Sequence, residues 1–163
     1  MSVKKKKNYL FHFEELHENP GYLLWQIAML WQRRMKNGLD TLAITHTQFV
    51  ILAALKWLRQ SQEAVTQADV ANHANIDRMM TSKIVKGLLA KGILRAMPHK
   101  SDSRSHTLHF TDKGEKLFRS ALEIVQKIDA SFFSLENPSV SKPIVAALNK
   151  IIKMNDEHIS CND

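Results

Sequence analysis

Between positions 78 and 86, Arg78, Met79, Ser82, Lys83 and Lys86 have the types and spacing to grip a polyanion. At about 100° per residue on a helix, Met79, Ser82, Lys83 and Lys86 share one side. Met80, Thr81, Ile84, Val85, Leu88 and Leu89 spread around the other and are expected to pack inward. Lysines suit phosphates or guanine edges, a serine hydroxyl donates or accepts, and a methionine can touch a thymine methyl. Arg78, at the side of the first turn, can reach a phosphate or pair with an acid. A second set follows in the polar stretch Lys100–Ser105. There Arg104, with Lys100 beside it, can enter a narrow, electronegative minor groove. Asp102 would repel phosphate, so its expected task is to shape the turn. Together these residues predict contact with duplex DNA.

The surrounding segments must hold both sets in place. Residues 65–92 predict a short helix from Thr66 to about His73, a tight turn at Asn75, and a longer helix capped by Asp77 and ended by Gly92. That is a helix-turn-helix layout. Gln67, at the start of the short helix, joins the DNA-facing set. Val70 and Ala71 are expected to meet Ile76, Met80 and Ile84 across the turn. Residues 93–97 and 106–110 predict the two strands of a hairpin, with Leu108 and Phe110 alternating against Thr107 and His109. A basic turn between two short strands after a recognition helix makes a wing.

Upstream, Asn19–Pro20 has the form of an N-cap followed by proline at the first helical position. Leu23, Ile27, Leu30, Trp31 and Met35 then recur at helical steps, and Gly38 is expected to close the helix. Thr45–Gln48 is a capping box that opens an apolar helix through Trp57. Downstream, 112–135 and 140–158 predict two more helices, with stripes at Leu117, Ile124, Ile128 and Phe132 and at Ile144, Val145, Leu148, Ile151 and Ile152. Asn137-Pro138-Ser139 separates them. The predicted fold class is mainly α, a winged helix-turn-helix with a two-stranded β-wing.

The chain has 163 residues, 44 % of them apolar, enough for a real core. Its net charge of +7 points to an anionic partner, and its distribution matters more than its size. Residues 77–113 carry eight basic side chains against three acidic ones, a surplus of five, while Lys4–Lys7 supply four more charges in a loosely ordered lead over 1–18. No apolar run is long enough for a membrane helix, and the start lacks a signal-peptide pattern. The single cysteine, Cys161, rules out an intrachain disulfide framework. Cytoplasmic location is the expectation, with no membrane partner.

These residues resemble the MarR family of bacterial transcription regulators. The resemblance is carried by the 65–92 helix-turn-helix, the wing motif Asp102-Ser103-Arg104, and Leu108-His-Phe-Thr-Asp-Lys-Gly114 leading into a long helix. It spans about residues 20–158. It implies a homodimer in which 19–40 and 112–160 form dimerisation helices and 41–111 the winged DNA-binding domain. It also implies that Arg104 is the minor-groove residue, that Asp102 orders the wing, and that Ser82, Lys83 and Lys86 fall on the recognition-helix positions. Many members release DNA on binding a small aromatic or lipophilic effector between the dimer region and the winged domain. Trp25, Met29 and Trp57 are the candidate pocket residues, with helix core or dimer interface as their competing role. Other members sense oxidants through a cysteine near the first helix, and this chain has none there.

The resulting expectation is a transcription regulator, more often a repressor in such families. The runners-up are a winged-helix protein-interaction module and a sequence-nonspecific DNA-binding protein. No Gly-rich phosphate loop, nucleophile elbow or paired acid motif supports an enzyme. His158-x-x-Cys161 and the group His99, His106 and His109 lack the further ligands a metal site needs, so neither a metal nor a cofactor is expected.

Overall fold

The computed structural model describes residues 18–99 and 105–159. Helices α1 (Pro20–Asp40), α2 (His46–Leu58), α3 (Gln67–Ala74) and α4 (Arg78–Ala90) precede strands β1 (Leu94–Pro98) and β2 (His106–Phe110). Helices α5 (Asp112–Phe132) and α6 (Pro138–Ile159) follow.

Each helix of the central domain begins where a side chain satisfies orphan backbone donors. Thr45 Oγ1 accepts from the Gln48 N–H at 3.1 Å, and Gln48 Oε1 accepts from the Thr45 N–H at 3.0 Å. Thr66 and Asp69 repeat this reciprocal arrangement at the head of α3. Asn75 ends α3 in the left-handed region (φ 50°, ψ 46°), a conformation asparagine tolerates well, and so makes the tight turn into α4. Gly92 closes α4 at φ 65°, with its N–H on the Leu89 carbonyl and the Ile93 N–H on the Leu88 carbonyl. These are the two bonds of a Schellman ending.

The core gathers around α2, whose Phe49, Ile51, Leu52, Leu55 and Leu58 are buried against Val65, Val70, Val85, Leu88, Ile93, Leu108 and Phe118. Helix α4 contributes Thr81, Val85 and Leu88, at steps of four and three. Met80, expected to face inward, is half exposed, because the inward arc of α4 starts one residue later at Thr81. The buried Thr81 hydroxyl has no hydrogen-bond partner among the described residues. Leaving such a group unpaired costs on the order of 1–3 kcal/mol. Thr81→Val keeps the shape and removes that cost, so we expect a gain of about 1 kcal/mol. Thermal unfolding measures it: the expected rise is about 2–4 °C, and a fall would assign the hydroxyl a bonded role.

Three further details differ from the sequence pattern. Gly38 does not close α1; it lies inside the helix, where a Cβ would come within 2.7 Å of both Ile124 and Ile128, so it permits close approach to α5. On α5 the deepest residues are Phe118, Ala121 and Val125, whereas the expected stripe of Leu117, Ile124, Ile128 and Phe132 is half-buried. The break before α6 ends at Asn137, whose side chain accepts from the Ser139 N–H, and Pro138 already belongs to the helix.

Strands β1 and β2 pair antiparallel from Leu94↔Phe110 to Pro98↔His106. The simple alternation expected along β2 is absent, since Thr107 and Leu108 are both buried. The free edge of β2 is taken by the segment entering α3: the Leu108 N–H donates to the Val65 carbonyl at 2.8 Å, and Thr66 bridges Thr107. This third edge ties the ribbon to the helix-turn-helix.

The T-x-K-G start of α5 has a direct structural reading. The Thr111 side chain accepts from the Gly114 N–H at 3.0 Å and donates toward the carbonyls of Gly92 and Ile93. Lys113 Nζ donates to the Lys91 carbonyl at 2.9 Å, at the end of α4. One short motif thus caps α5 and binds it to the end of α4.

Candidate nucleic-acid interface

Helix α4 is held as a rigid presenting element. Asp77 Oδ1 accepts from the N–H groups of Met79 and Met80 at 2.8 and 3.0 Å, fixing the first turn. The Thr81–Val85–Leu88 face anchors the helix to α2 and α3. Arg78, Met79, Lys83 and Lys86 are left exposed on the outer side, with Met79 83 % exposed. Ser82 is half-buried at the border of that face, and Gln67 is half-buried at the first position of α3.

Among the described residues, none of Arg78, Lys83 or Lys86 lies in an ion pair with a carboxylate. Their charge is therefore free for an external anion. Met80 was not among the candidates but stands half exposed beside Met79. The 81–85–88 spacing of the buried face is the signal that would have placed it outside. Lys100, Asp102 and Arg104 lie outside the described residues, which resume at Ser105, whose carbonyl accepts from the His99 N–H at 3.0 Å.

The candidate effector residues fall in two different surroundings. Trp25 and Met29 are exposed on the first half of α1, with Trp25 stacked on Tyr22 at 6.1 Å. Trp57, on α2, stacks on His73 of α3 at 6.4 Å and is also largely exposed. Near the packed half of α1, Trp31 Nε1 donates to Asp129 at 2.8 Å and meets the His46 ring edge-on. Burial holds the His46 imidazole below its usual pKa, with Asp129 acting in the opposite direction.

A three-helix domain, a β-ribbon tied to it, and an exposed cationic helix following an αL turn define a winged helix-turn-helix protein. The ArnR1-like winged-helix domain family matches residues 40–129, which are more than half of the chain. An uncharacterized HTH-type transcriptional regulator of Bacillus subtilis, YdcH, is 36 % identical over 122 residues, 75 % of this chain and 83 % of that one. Among solved structures, the transcriptional repressor CouR bound to a 23-mer DNA duplex superposes with a TM-score of 0.76 at 22 % identity, covering 88 % of this chain and 99 % of that one. BpsR of Bordetella bronchiseptica, whose DNA binding is regulated by 6-hydroxynicotinic acid, gives a TM-score of 0.68 at 26 % identity, covering 80 % and 96 %. The chain belongs to the ArnR1-like winged-helix domain family, and its winged helix-turn-helix fold is the one the MarR resemblance implies.

Proposed function

We propose that this chain acts in the cytoplasm as a homodimeric repressor that binds pseudo-palindromic duplex DNA, with α4 in the major groove and the wing in the minor groove. The observation that carries the reading is the outer face of α4, where Arg78, Lys83 and Lys86 stand without carboxylate partners among the described residues. Met79 and Ser82 supply base-edge contacts, Gln67 a contact from the head of α3, and Lys100 and Arg104 the wing contacts, with Asp102 ordering the wing turn. Residues 41–111 form the DNA-binding domain, and 19–40 with 112–160 the dimerisation region.

Dimerisation is supported by the apolar side chains that the single chain leaves uncovered. Leu23, Leu24, Ile27 and Leu30 on α1 and Val145, Leu148, Ile151 and Ile152 on α6 are all exposed, and α6 makes little contact with the rest of the chain. Apolar helix faces left exposed in this way mark an association surface. A small aromatic or lipophilic effector would act between this region and the winged domain.

The test is the salt dependence of binding to a duplex carrying two half-sites about one turn (~10 bp) apart. Each phosphate contact contributes about 0.9 to the slope of log K against log salt. Losing Lys83 and Lys86 from both protomers should therefore reduce that slope by roughly 3 to 4. An unchanged slope and affinity in the double alanine variant would remove α4 from the interface. Competition with random duplex separates sequence-specific from nonspecific binding. The protein-interaction alternative draws on the exposed Met79–Met80 pair, but the lysines beside it disfavour an apolar partner.

A further inference from the structure

The end of α2, the ribbon and the start of α5 line an open polar cavity of about 350 Å³. Its walls are Lys56 from α2, Arg59 and Gln60 from the turn that follows it, Arg95 from β1, His109 and Phe110 from β2, and Glu115 from α5. The only carboxylate in that wall is already engaged: Lys56 Nζ donates to both Glu115 oxygens at 2.9 Å. Arg59 and Arg95 have no carboxylate within ion-pair distance among the described residues. The lining therefore keeps two positive charges after internal pairing.

The cations are held in a defined arrangement. Arg59 Nη1 donates to His109 Nδ1 at 3.1 Å, so the ring is neutral and its proton sits on Nε2, which donates to Thr107 Oγ1 at 2.9 Å. Burial, and then the charges of Arg59 and Arg95, keep His109 below its usual pKa, consistent with that tautomer. Phe110 supplies an apolar wall, with Lys56 Nζ 5.6 Å from its ring centre. Guanidinium groups bind carboxylate and phosphate through paired N–H bonds, and a cavity of this volume lies at the lower end of small-molecule sites.

We propose that this cavity binds a small organic anion, a carboxylate or phosphate carried on a compact apolar or aromatic body, with Arg59 and Arg95 on the anion and Phe110 against the body. Arg95 belongs to the wing strand, whereas Arg59 caps the end of α2 and Glu115 belongs to α5. An anion bridging the two arginines ties the wing base to the helical core and shifts the angle at which the wing meets DNA. This second step rests on the DNA-binding function proposed above; the binding site itself does not. The site is also separate from Trp25 and Met29, which lie on α1.

Phenyl phosphate serves as the probe, titrated calorimetrically into the full-length protein without DNA, with inorganic phosphate and benzyl alcohol as comparisons. The expected result is saturable phenyl phosphate binding, weaker inorganic phosphate binding and none for benzyl alcohol. Arg59→Gln and Arg95→Gln should each weaken the phosphate probe at least tenfold, and the His109 ring resonances should shift on binding only in the wild type. Unchanged melting temperatures establish that both variants fold; Arg95 is exposed, so its variant provides the arm least exposed to folding defects. Absence of phenyl phosphate binding, or binding indifferent to both substitutions, overturns the proposal. If free phosphates fail to bind while Arg95→Gln weakens duplex binding, the cations serve the DNA backbone and the small-anion site is likewise overturned. Because the titration contains no DNA, a failure of the DNA-binding reading cannot be mistaken for a failure of this one.

Discussion

Gly114→Ala should unfold this protein several degrees earlier than any other single methyl addition at its described glycines. A Cβ built at Gly114 would lie 2.0 Å from the Ile93 carbonyl oxygen and 3.0 Å from its carbon. That carbonyl cannot swing aside cheaply, because it accepts from both the N–H and the hydroxyl of Thr111. The start of α5 and the end of α4 would have to separate, taking with them the Thr111 cap and the Lys113–Lys91 contact. Overpacking typically costs 1–3 kcal/mol, and with backbone as the obstacle we expect about 3 kcal/mol or more. For a chain of this size that lowers Tm by roughly 6–12 °C. Gly87→Ala on α4 is the internal control. Its Cβ meets nothing within 4 Å, so the change should instead stabilise by about 0.5–1 kcal/mol through helix propensity. Scanning calorimetry of both variants decides the matter, and similar melting temperatures would show that the α4–α5 junction yields.

The same junction marks where the sequence is readable and where it is not. Chemistry confined to a few neighbouring residues is legible: the Thr45–Gln48 and Thr66–Asp69 boxes, the Asp77 cap, the αL turn at Asn75 and the Gly92 ending all sit where their residue types demand. What depends on a distant partner is not. Gly38 carries the composition of a helix terminator, and only the approach of Ile124 and Ile128 turns it into a packing residue. Thr107 has an outward-facing pattern until the 65–66 segment pairs along β2. On the candidate interface, the cationic side of α4 follows from helical spacing alone. Met80 is harder to place, because an apolar residue at the edge of the inward arc turns outward only once Thr81, Val85 and Leu88 are taken as the buried face. The anion cavity draws on four elements, with Arg59 and His109 fifty positions apart, so no local motif announces it.

Ile151→Glu combined with Ile152→Glu should convert the proposed homodimer to monomers and, through that change alone, reduce DNA affinity by two to four orders of magnitude. Both side chains are more than half exposed in the single chain, so a partner protomer gains by covering them. Covering the remaining area of each is worth on the order of 1 kcal/mol, and two-fold symmetry counts every residue twice. Four carboxylates in one apolar interface add desolvation and mutual repulsion. The winged domain should stay folded, because α6 contributes none of the core residues around α2. DNA affinity nonetheless falls: a dimer that has engaged one half-site meets the second at millimolar effective concentration, an advantage of about 10²–10⁴ that a monomer lacks. Sedimentation velocity reads the oligomeric state, circular dichroism the fold, and titration against one- and two-half-site duplexes the affinity. The expected signature is selective: binding to the two-half-site duplex falls to the level of the single half-site, while the latter is unchanged. A variant that remains dimeric would take α6 out of the interface, and a monomer that still binds the full site tightly would mean each winged domain reads its operator alone.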